Sequence, residues 1–444
     1  MGIKVCKFGG SSLADARQFI KVKNILLADP SRRYVVPSAP GKRSNDDIKI
    51  TDLLYQCFRL AQRNQPYDEI FEQIKQRFIG IVHDLELDFD IAPLLDDACA
   101  RIQTGSPDYA ASRGEYFSGL VLSHYMGWDF IDPVEILKFD RQGVYAAEWS
   151  NELAAEALKA HTHAVIPGFY GSLPGGEVHT FSRGGSDITG AVIARAAGAE
   201  LYENWTDVSG FLMADPRIVE NPLPIDRLTY RELRELSYMG ATVLHEDSVF
   251  PVRKAGIPTN IRNTNAPADP GTLIVVHDEE CTNPSPITGV AGHKNFTLLS
   301  IEKAMMNAEI GFGRRVLQAL EEFGVSFEHL PTGIDTMCVI IADADLQHHK
   351  EQLIERIEQT VHPDSIVLSS GLALVATVGR GMVRTPGSAA KLFRALANAN
   401  VNVRMIDQGS SELNIIVGVD IPEFEKAVRA IYNEFVGVPA KGAV

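Results

Sequence analysis

Apolar residues in the first half of the chain fall into short runs rich in β-branched residues, separated by stretches with helical periodicity. The runs predict five β-strands, over residues 3–8, 34–38, 129–136, 163–167 and 200–206. Strands that alternate with helices are typical of an α/β domain with a mainly parallel sheet, because each parallel connection needs a crossover. The first half of the chain is therefore predicted to be such a domain.

One long helical stretch interrupts this alternation. From Phe71 to Leu85 the apolar residues recur at helical spacing, so residues 62–101 predict helices that cover the sheet. We place them in a helical insertion over residues 62–115. The helical spacing of these apolar residues favours a structural role, in which they pack into the core.

A change in composition marks the end of the α/β domain. The stretch 277–295 is rich in residues that form turns, namely Pro284, Pro286, Gly289 and Gly292. Such clusters are typical of connections between domains. We therefore assign residues 1–290 to the α/β domain.

Beyond this boundary the sequence partly repeats itself at an offset of 76 residues. The matching positions are Gly311 and Gly387, Leu317 and Phe393, Leu320 and Leu396, Val325 and Val401, and Val339 and Ile415. Each copy predicts a strand, a glycine-containing loop, an amphipathic helix and two strands, which is a ferredoxin-like βαββ pattern. Two small α+β modules are expected, over residues 296–370 and 371–444. They serve either as a dimerisation unit or as a pair of ligand sensors.

Composition and charge narrow the classes of function. A chain of 444 residues with 45% hydrophobic residues has material for two or three full cores. Its formal net charge of −15 argues against a nucleic-acid or anionic membrane surface, so any phosphate must meet a local cluster of Lys and Arg. The N-terminus lacks the apolar core of a signal sequence, and no apolar run approaches the length that spans a bilayer. We expect a cytoplasmic protein.

Several kinds of site are not indicated. The five cysteines are widely spread and form no CxxC pair, which favours reduced thiols over disulfides or zinc ligands. Gly41 and Lys42 lack the upstream glycine of a Walker A motif, and Gly379 and Gly381 are followed by Arg384 where a dinucleotide fingerprint needs glycine. Neither a P-loop, a Rossmann dinucleotide site, a zinc site nor a Ser-His-Asp triad is expected.

The first predicted strand ends in a pattern that suits a phosphate. Lys7 is followed by Gly9 and Gly10, whose backbone N–H groups can approach an anion without a Cβ in the way, and by Ser11 and Ser12. The serines are expected to cap a helix that begins directly after them, beside the positive charge of Lys7. A tight strand-to-helix connection is the alternative and, from this segment alone, the favoured one.

A second glycine-rich segment lies in the middle of the chain. Residues 182–187 read Ser-Arg-Gly-Gly-Ser-Asp and lead into a predicted helix over residues 188–197. Arg183 can grip a carboxylate through two parallel hydrogen bonds, and Asp187 suits an ammonium, so the pair matches the two ends of an amino acid. The alternative is a surface ion pair in which Asp187 serves only the helix dipole.

The next strand supports the amino-acid interpretation. Residues 205–208 (Trp-Thr-Asp-Val) close this strand, and residues 214–217 (Ala-Asp-Pro-Arg) follow in a loop. A hydroxyl, two acids and an arginine thus gather at the carboxyl edge of the predicted sheet, where open α/β sheets bind nucleotides. A second, separate anion site is predicted there.

In this order and spacing, the motifs resemble those of the aspartate kinases (aspartokinases), a family of the amino acid kinase superfamily. The matching segments are KFGGSS from Lys7, SAPG from Ser38, TDLL from Thr51, SRGGSD from Ser182, WTDV from Trp205, DPR from Asp215 and GATVLH from Gly240. With the two C-terminal modules they cover essentially the whole chain and match the monofunctional type. The resemblance implies an α/β fold, an amino acid kinase (carbamate-kinase-like) αβα sandwich with a mainly parallel sheet, followed by two ferredoxin-like α+β ACT domains.

The resemblance also implies an activity, the transfer of the γ-phosphate of MgATP to the side-chain carboxylate of L-aspartate. The product, 4-phospho-L-aspartate, leads to lysine, threonine, methionine and isoleucine. The implied catalytic residues are Lys7, Arg183 and Asp187. The implied ATP-binding residues are Lys7, Gly9, Gly10, Ser11, Thr206, Asp207, Leu212, Arg217, Thr242 and Val243. The implied substrate-binding residues are Ser38, Thr51, Glu115, Arg183, Gly184, Gly185, Ser186 and Asp187. Mg²⁺ is expected chiefly on phosphate oxygens and water, and no protein ligand to it is named.

Two positions depart from the family's pattern, and two other functions stay open. Thr242 stands where the family often has Lys, and Leu212 where some members have Tyr. A kinase for another amino acid such as glutamate is one alternative, because discrimination of a single methylene amounts to only about 1–3 kcal/mol. A catalytically silent amino-acid sensor is the other, and intact Lys7, Arg183 and Asp187 speak against it.

The tandem ACT arrangement implies feedback inhibition by an end product, with L-lysine as first choice and threonine as second. The implied effector pocket comprises Met306, Phe312, Gly313, Phe327 and Glu328. Backbone N–H groups around Phe312 can bind an effector carboxylate, and Glu328 can pair with its ammonium, whereas core packing of both phenylalanines is the alternative. A homodimer or a dimer of dimers joined through the ACT domains is expected.

Overall fold

The computed structural model describes residues 2–182, 184–241, 244, 246–277 and 285–437. The chain divides into two compact units. The first comprises Met1–Phe211, Asp226–Tyr230 and Val243–Cys281, and the second comprises Leu212–Ile225, Arg231–Thr242 and Thr282–Val444. Three short segments of the predicted α/β domain, residues 212–225, 231–242 and 282–290, thus group with the C-terminal part of the chain. The domain limits drawn from the sequence stay a prediction.

The first unit is built on a mainly parallel sheet. Its strands are β1 Lys4–Phe8, β2 Arg32–Pro37, β3 Asp129–Phe130, β4 Ala164–Val165, β5 Tyr170–Ser172, β6 Val178–Thr180, β7 Leu201–Thr206, β8 Arg227–Thr229, β9 Thr259–Asn263 and β10 Thr272–Val275. Eight of them form one sheet in the order β3-β4-β2-β1-β7-β9-β10-β8, and β5 pairs with β6 in a hairpin. Neighbours in the large sheet are parallel except β9 and β10. The predicted α/β class is confirmed.

Helices cover both faces of this sheet. They are α1 Ala16–Leu27, α2 Ile50–Ala61, α3 Asp68–Asp84, α4 Ala92–Ile102, α5 Pro107–Met126, α6 Pro133–Ile136, α7 Ala147–Lys159, α8 Gly185–Ala196 and α10 Phe250–Ala255. Helix α9 Tyr230–Tyr238 groups with the second unit from Arg231 onwards. Cys6, Phe8 and Trp205 pack into the core beneath α1 to α5, with the rings of Phe8 and Trp205 stacked at 5.8 Å. Lys7 and Asn204 alternate with them along β1 and β7 and face α8 instead.

One predicted strand is much shorter than expected. The strand over residues 129–136 ends at Phe130, and α6 occupies the rest of this stretch. Asp132 caps α6 by accepting a hydrogen bond from the Val134 N–H at 3.1 Å, and Pro133 fills the first helical position, where its missing N–H costs nothing. These cap residues override the β-branched composition of the stretch.

The two serines of the first motif do not cap a helix, which corrects the prediction. Gly10–Leu13 form a short 3₁₀ turn, and α1 has Asp15 as its N-cap, whose carboxylate accepts from the Gln18 N–H at 3.0 Å. Ser12 is buried, and its hydroxyl lies 2.7 Å from that of Thr264. The serine hydroxyl therefore joins the loop to the residue that follows β9, and not to a helix.

A buried ion pair fixes the central strands to one another. Glu203 of β7 is 1% exposed and accepts from Arg32 of β2, through Nε at 2.8 Å and Nη2 at 3.1 Å. The same carboxylate accepts from Trp205 Nε1 at 3.0 Å and from the Cys6 thiol of β1 at 3.4 Å. Because both oxygens of this carboxylate have partners on neighbouring strands, β1, β2 and β7 are held in one register.

The second unit contains an antiparallel sheet with helices packed on it. Its strands are β11 Gly289–Glu302, β12 Thr336–Ala342, β13 Ser365–Val378, β14 Met405–Asp407 and β15 Asn414–Asp420, in the order β12-β11-β13-β15-β14. Its other helices are α11 Phe312–Glu322, α12 Asp343–Leu346, α13 Lys350–Val361, α14 Ser388–Asn398 and α15 Phe424–Val436. The predicted α+β character of this part of the chain is confirmed.

The 76-residue repeat is visible as two similar helices. Gly311 precedes α11 and Gly387 precedes α14, with φ of 81° and 89°, and each helix is 11 residues long. Glycine suits both positions because a side chain is strained at such φ values. Matching glycines at the two helix starts thus explain the clearest correspondence in the repeat.

Long strands connect the two modules. Residues 289–293 of β11 pair with residues 374–378 of β13, whereas residues 296–302 of β11 pair with residues 365–372. The first part of β11 therefore belongs to the sheet of the second module. The first module lies between strands of the second one along the chain.

No helix in the described ranges is both long and apolar enough to cross a bilayer. Cys6, Cys57, Cys99 and Cys338 are free thiols, and Cys281 lies outside the described residues.

Candidate active site

A cavity of about 610 Å³ opens at the carboxyl edge of the parallel sheet. β1 lies between β2 and β7 and runs parallel to both, so the loops that leave these strands diverge at this edge. Open α/β sheets bind their ligands in crevices of this kind. Six residues singled out from the sequence line the cavity, namely Gly10, Ser11, Ser38, Thr51, Glu115 and Asp207.

Lys7 is held at the end of β1 by side chains of two neighbouring elements. Its Nζ lies 2.6 Å from Asp187 Oδ1 of α8 and donates to Asn204 Oδ1 of β7 at 3.3 Å. Asn204 Nδ2 donates in turn to the same Asp187 oxygen at 2.7 Å. Lys7 is only 8% exposed. A fixed and largely desolvated positive charge thus stands beside the loop that lines the cavity.

Glycines let the loops after β1 and β2 meet backbone to backbone. The Gly41 N–H donates to the Gly10 carbonyl at 2.8 Å, and a Cβ on Gly10 would lie 2.9 Å from the Ala39 carbonyl oxygen. The Gly9 N–H donates to the Trp205 carbonyl at 2.9 Å. This bond corrects the expectation that the Gly9 amide faces a phosphate, because the donor is already satisfied.

Glu115 brings a buried carboxyl group to the cavity from α5. It is 6% exposed, and burial raises its pKa to about 8 against the lowering effect of a backbone hydrogen bond with Ala39. Within the described part of the chain its Oε2 has no hydrogen-bond partner. Gly114 allows this approach, since a Cβ there would lie 2.7 Å from the Ala39 Cβ. Glu115 therefore adds a buried carboxyl group with a raised pKa to the wall of the cavity.

The start of α8 places Asp187 against the site. α8 begins at Gly185, three residues earlier than predicted, with Gly184 as a left-handed N-cap at φ 59°. Asp187 thus lies in the first turn of the helix, where the helix dipole stabilises a carboxylate. Arg183 lies outside the described residues.

The backbone under this helix start is strained. Phe169 has a φ of 81°, and its N–H donates to the Thr189 hydroxyl at 3.1 Å. A Cβ on Gly168 would lie 2.6 Å from the Cβ of Ser186, which is 9% exposed, so only glycine fits there. Left-handed conformations of bulky residues cost about 1–3 kcal/mol and cluster at functional sites.

Thr206 and Asp207 follow the end of the buried part of β7. The Thr206 hydroxyl donates to Asp207 Oδ1 at 3.1 Å, and the exposed carboxylate of Asp207 lines the cavity. These two residues therefore stand where the sequence predicts them, at the carboxyl edge of the sheet.

The other residues predicted to contact a nucleotide lie elsewhere in the chain. Leu212 and Arg217 belong to the second unit, where the exposed Arg217 side chain pairs with Asp215 at 2.6 Å. Thr242 and Val243 lie outside the described residues. The nucleotide roles of these four residues stay predictions.

Comparison with known proteins identifies the family. Residues 2–263 match the model of the amino acid kinase family, and residues 375–435 match an ACT domain model. The chain is 39% identical to aspartokinase 3 of Bacillus subtilis over 449 residues, which cover 98% of each chain. The chain belongs to the aspartokinase family.

Solved aspartokinases share the fold of this chain. The aspartate kinase of Clostridium acetobutylicum is 54% identical, with a TM-score of 0.91, and the match covers 98% of this chain and 100% of that one. Escherichia coli aspartokinase III is 25% identical in two states. Its complex with aspartate and ADP (R-state) has a TM-score of 0.75 and covers 98% of this chain and 100% of that chain. Its complex with lysine and aspartate (T-state) has a TM-score of 0.73, and the match covers 98% of this chain and 99% of that chain. The aspartokinase resemblance, the fold it implies and the enzyme class of aspartate kinase are thereby confirmed.

Sequence reasoning missed several residues of this aspartokinase site. Asn204 is a buried polar residue between Glu203 and Trp205, and only the register of β1 against β7 shows that it faces Lys7. Lys42, Arg43 and Lys49 line the cavity from the loop after β2. Their clustering near the SAPG segment was a signal in the sequence, because a phosphate site of an acidic protein needs local positive charge.

The residues predicted for the effector site differ in burial in this aspartokinase. Met306 and Phe312 are 5% and 4% exposed and belong to the core of the first ACT module, beside which Gly313 continues α11. Phe327 is 41% exposed, and the partly buried Glu328 accepts a hydrogen bond from the Tyr238 hydroxyl. Burial favours core packing for Phe312, and the effector role of the whole set stays a prediction.

In the described ranges, no three or more His, Cys, Asp or Glu side chains gather closely enough to hold a metal ion. The acidic group that the cavity offers at its rim is Asp207. This donor set suits an ion that arrives with most of its oxygen ligands, as Mg²⁺ on a nucleotide does.

Proposed function

We propose that this aspartokinase phosphorylates the side-chain carboxylate of L-aspartate with MgATP, giving 4-phospho-L-aspartate and ADP. The observation that carries the proposal is the buried Lys7, paired with Asp187 and Asn204 beside a cavity that Gly10, Ser38, Thr51 and Glu115 line. The product would feed the synthesis of lysine, threonine, methionine and isoleucine in the cytoplasm.

The chemistry needs alignment and charge neutralisation rather than a general base. An aspartate side chain has an ordinary pKa of about 3.9, so the nucleophile is already ionised at neutral pH. Negative charge shifts over the transferred phosphoryl group in the transition state, and a preorganised cation there lowers the barrier. Lys7, with the Gly10 amide, is our choice for this role, and Asp187 with Asn204 would hold the ammonium in place.

The substrate's two charged ends need partners of opposite sign. Arg183 would grip the α-carboxylate through its fork of donors, and Glu115 would accept the α-ammonium. Asp187 is already engaged by Lys7 at 2.6 Å, which leaves Glu115 as the principal acid for the ammonium. Ser38 and Thr51 would orient the reacting carboxylate. The complex of E. coli aspartokinase III with aspartate and ADP supports a shared site for both substrates.

The nucleotide would lie along the carboxyl edge of the sheet. Thr206 and Asp207 would contact it there. Mg²⁺ would be held mainly by phosphate oxygens and water, supplying charge neutralisation when bound. Asp207, which lines the cavity, would accept a hydrogen bond from one of those waters.

Release of ADP tests this function and separates it from its alternatives. The purified chain with MgATP is expected to release ADP when L-aspartate is added, and at least ten times more slowly with L-glutamate. Comparable rates with both amino acids would favour a kinase of wider specificity. An absence of amino-acid-dependent release would favour the catalytically silent sensor.

We further propose that lysine inhibits the enzyme through the first ACT module. E. coli aspartokinase III has been solved in complex with lysine and aspartate in its T-state, which supports lysine ahead of threonine. The outer edge of β12 is paired with residues 328–333. β14, by contrast, is an edge strand of the ACT sheet, and such an edge can join another copy of the chain in a homodimer or dimer of dimers. An effector at such a seam typically changes the affinity of a second site by about 1–3 kcal/mol.

Glu328→Ala is expected to raise the lysine concentration for half inhibition about tenfold without loss of kcat, because the ammonium of the effector loses its partner. Steady-state kinetics with a lysine titration, repeated with threonine and methionine, measures this. Glu321→Ala, which removes an exposed carboxylate of α11, is the matched control. An enzyme indifferent to lysine, or an unchanged response in Glu328→Ala, would contradict this effector site.

A further inference from the structure

We propose that Arg77 and Asp47 form a latch that holds the loop of residues 41–49 at the active-site cavity, so that the helical insertion contributes to phosphoryl transfer. The proposal rests on the function proposed above. Arg77 is a positioning residue here, since it acts through the loop and does not line the cavity.

The loop of residues 41–49 carries the basic side chains of the cavity wall. It connects β2 to α2 without a helix or strand of its own, and Lys42, Arg43 and Lys49 line the cavity from it. All three are exposed. Loops with solvated side chains open at little cost, so a working geometry here needs an anchor from outside the loop.

Arg77 supplies that anchor from α3. Its Nη1 donates to the Gly41 carbonyl at 3.2 Å and to the Ala14 carbonyl at 3.1 Å. Its Nη2 donates to Asp47 Oδ2 at 2.6 Å. One guanidinium therefore ties the first residue of the loop to its later part, and both to the segment that follows the Gly9 and Gly10 turn.

Asp47 completes the latch inside the loop. Its carboxylate accepts from the Arg43 N–H at 2.9 Å and from Arg43 Nε at 3.0 Å, as well as from Arg77. These contacts, the Arg43 bonds first, hold the pKa of Asp47 well below its usual range. The side chain of Asp47 is 14% exposed, so the pair with Arg77 is shielded from water.

Packing alone does not account for an arginine at this position. The other buried residues of α3 are apolar, namely Phe71, Ile74, Phe78, Ile81 and Val82, whereas Arg77 is 7% exposed. Burial lowers the pKa of the Arg77 guanidinium, with Arg43 nearby adding to this effect. A hydrophobic side chain of similar volume is often neutral or stabilising in place of a buried ion pair. The positive charge of Arg77 is instead explained by the three groups to which it donates, namely the carbonyls of Ala14 and Gly41 and the carboxylate of Asp47.

Arg77→Met, Asp47→Asn and the double variant test the latch. Because a displacement of about 1 Å can cost a hundredfold in rate, we expect kcat/KM for MgATP to fall at least about tenfold in each single variant. The double variant should lose no more than the worse single one, since both act through one latch. In Arg77→Met the loop loses its bonds to α3, so tryptic cleavage after Arg43 should accelerate at least about tenfold. The Arg43–Asp47 pair remains in this variant, but it lies within the loop and does not anchor it to α3.

Lys75→Met is the matched control on the same helix. Lys75 forms an ion pair with Asp96 at 2.6 Å and does not contact the loop. Its replacement should therefore leave both kcat/KM and the rate of tryptic cleavage within about twofold of the wild type. Wild-type kcat/KM in both Arg77→Met and Asp47→Asn, or losses that multiply in the double variant, would overturn the latch. If Arg77→Met does not fold, Asp47→Asn decides, and unchanged kcat/KM there counts against the proposal. Failure of the proposed function is distinct, because wild type and Lys75→Met would then both lack aspartate-dependent ADP release.

Discussion

Lys7→Ala is expected to lower kcat by about a thousandfold or more, while KM for aspartate changes by less than about threefold. The Lys7 ammonium is fixed by Asp187 at 2.6 Å and by Asn204 at 3.3 Å, so it needs no reorganisation when charge develops on the phosphoryl group. A cation that stabilises the transition state more than the bound substrates acts on kcat rather than on KM. Steady-state kinetics at saturating MgATP measures both constants.

Lys4→Ala controls for the loss of a lysine from the same strand. Lys4 stands at the other end of β1 and pairs with Asp29 at 2.8 Å, far from the carboxyl edge, so its removal should leave kcat within about twofold. Thermal unfolding of both variants checks that they remain folded at the assay temperature. A Lys7→Ala enzyme with near-normal kcat would remove Lys7 from the phosphoryl site.

Glu115→Gln is expected to raise KM for aspartate by about 10- to 100-fold with a smaller effect on KM for ATP. Hydrogen bonds to charged groups contribute about 1.5–3 kcal/mol, and the amide keeps the shape of the side chain but loses its charge. Oε2 of Glu115, which has no hydrogen-bond partner among the described residues, is the acceptor that the substrate ammonium would meet. Glu69→Gln, an exposed carboxylate on α3, is the matched control.

The pH dependence of KM provides a second measurement on Glu115. Its pKa of about 8 means that the free enzyme holds a proton there at neutral pH, whereas an ammonium partner favours the carboxylate. Binding must then release that proton, so KM for aspartate should rise about tenfold per pH unit as the pH falls below about 8 and level off above it. The profile should be flat in Glu115→Gln. Identical profiles in wild type and variant would contradict the role of Glu115.

The same raised pKa has a defined effect on stability. Between about pH 4.5 and 8 the folded chain retains a proton on Glu115 that the unfolded chain has lost. The free energy of unfolding therefore falls as the pH rises through this window, as far as this group contributes.

Residues that line the cavity were named in two ways. Local patterns singled out Gly10, Ser11 and Asp207, whereas Ser38, Thr51 and Glu115 came from the aspartokinase resemblance. Gly10, Ser38 and Asp207 meet because β1, β2 and β7 run parallel and bring their carboxyl ends to one edge of the sheet. Asp132 and Pro133 are a helix-start signal that is also readable from the sequence. Because the prediction did not use this signal, it extended the strand over residues 129–136, where α6 begins at Pro133. Such errors come from weighing composition above cap signals.

Other features depend on contacts between distant segments and were beyond sequence reasoning. Asn204 meets Lys7 only through the register of β1 and β7, and Arg77 reaches Asp47 across 30 residues. The sharing of β11 and β13 by both ACT modules depends on their 14-residue lengths, which an apolar run does not define. The strands that pair with one another are set by the whole fold, and not by the apolar sequence of a single strand.

Trapping of the product tests the central claim most directly. With L-aspartate, MgATP and hydroxylamine, an acyl phosphate on the substrate is converted to a hydroxamate, which mass spectrometry identifies and places on the side-chain carboxyl group. We predict one hydroxamate of the aspartate side chain for each ADP released by the wild type, and neither product from Lys7→Ala on the same timescale. ADP release without hydroxamate, or a hydroxamate on the α-carboxyl group, would contradict phosphoryl transfer to the side chain of aspartate.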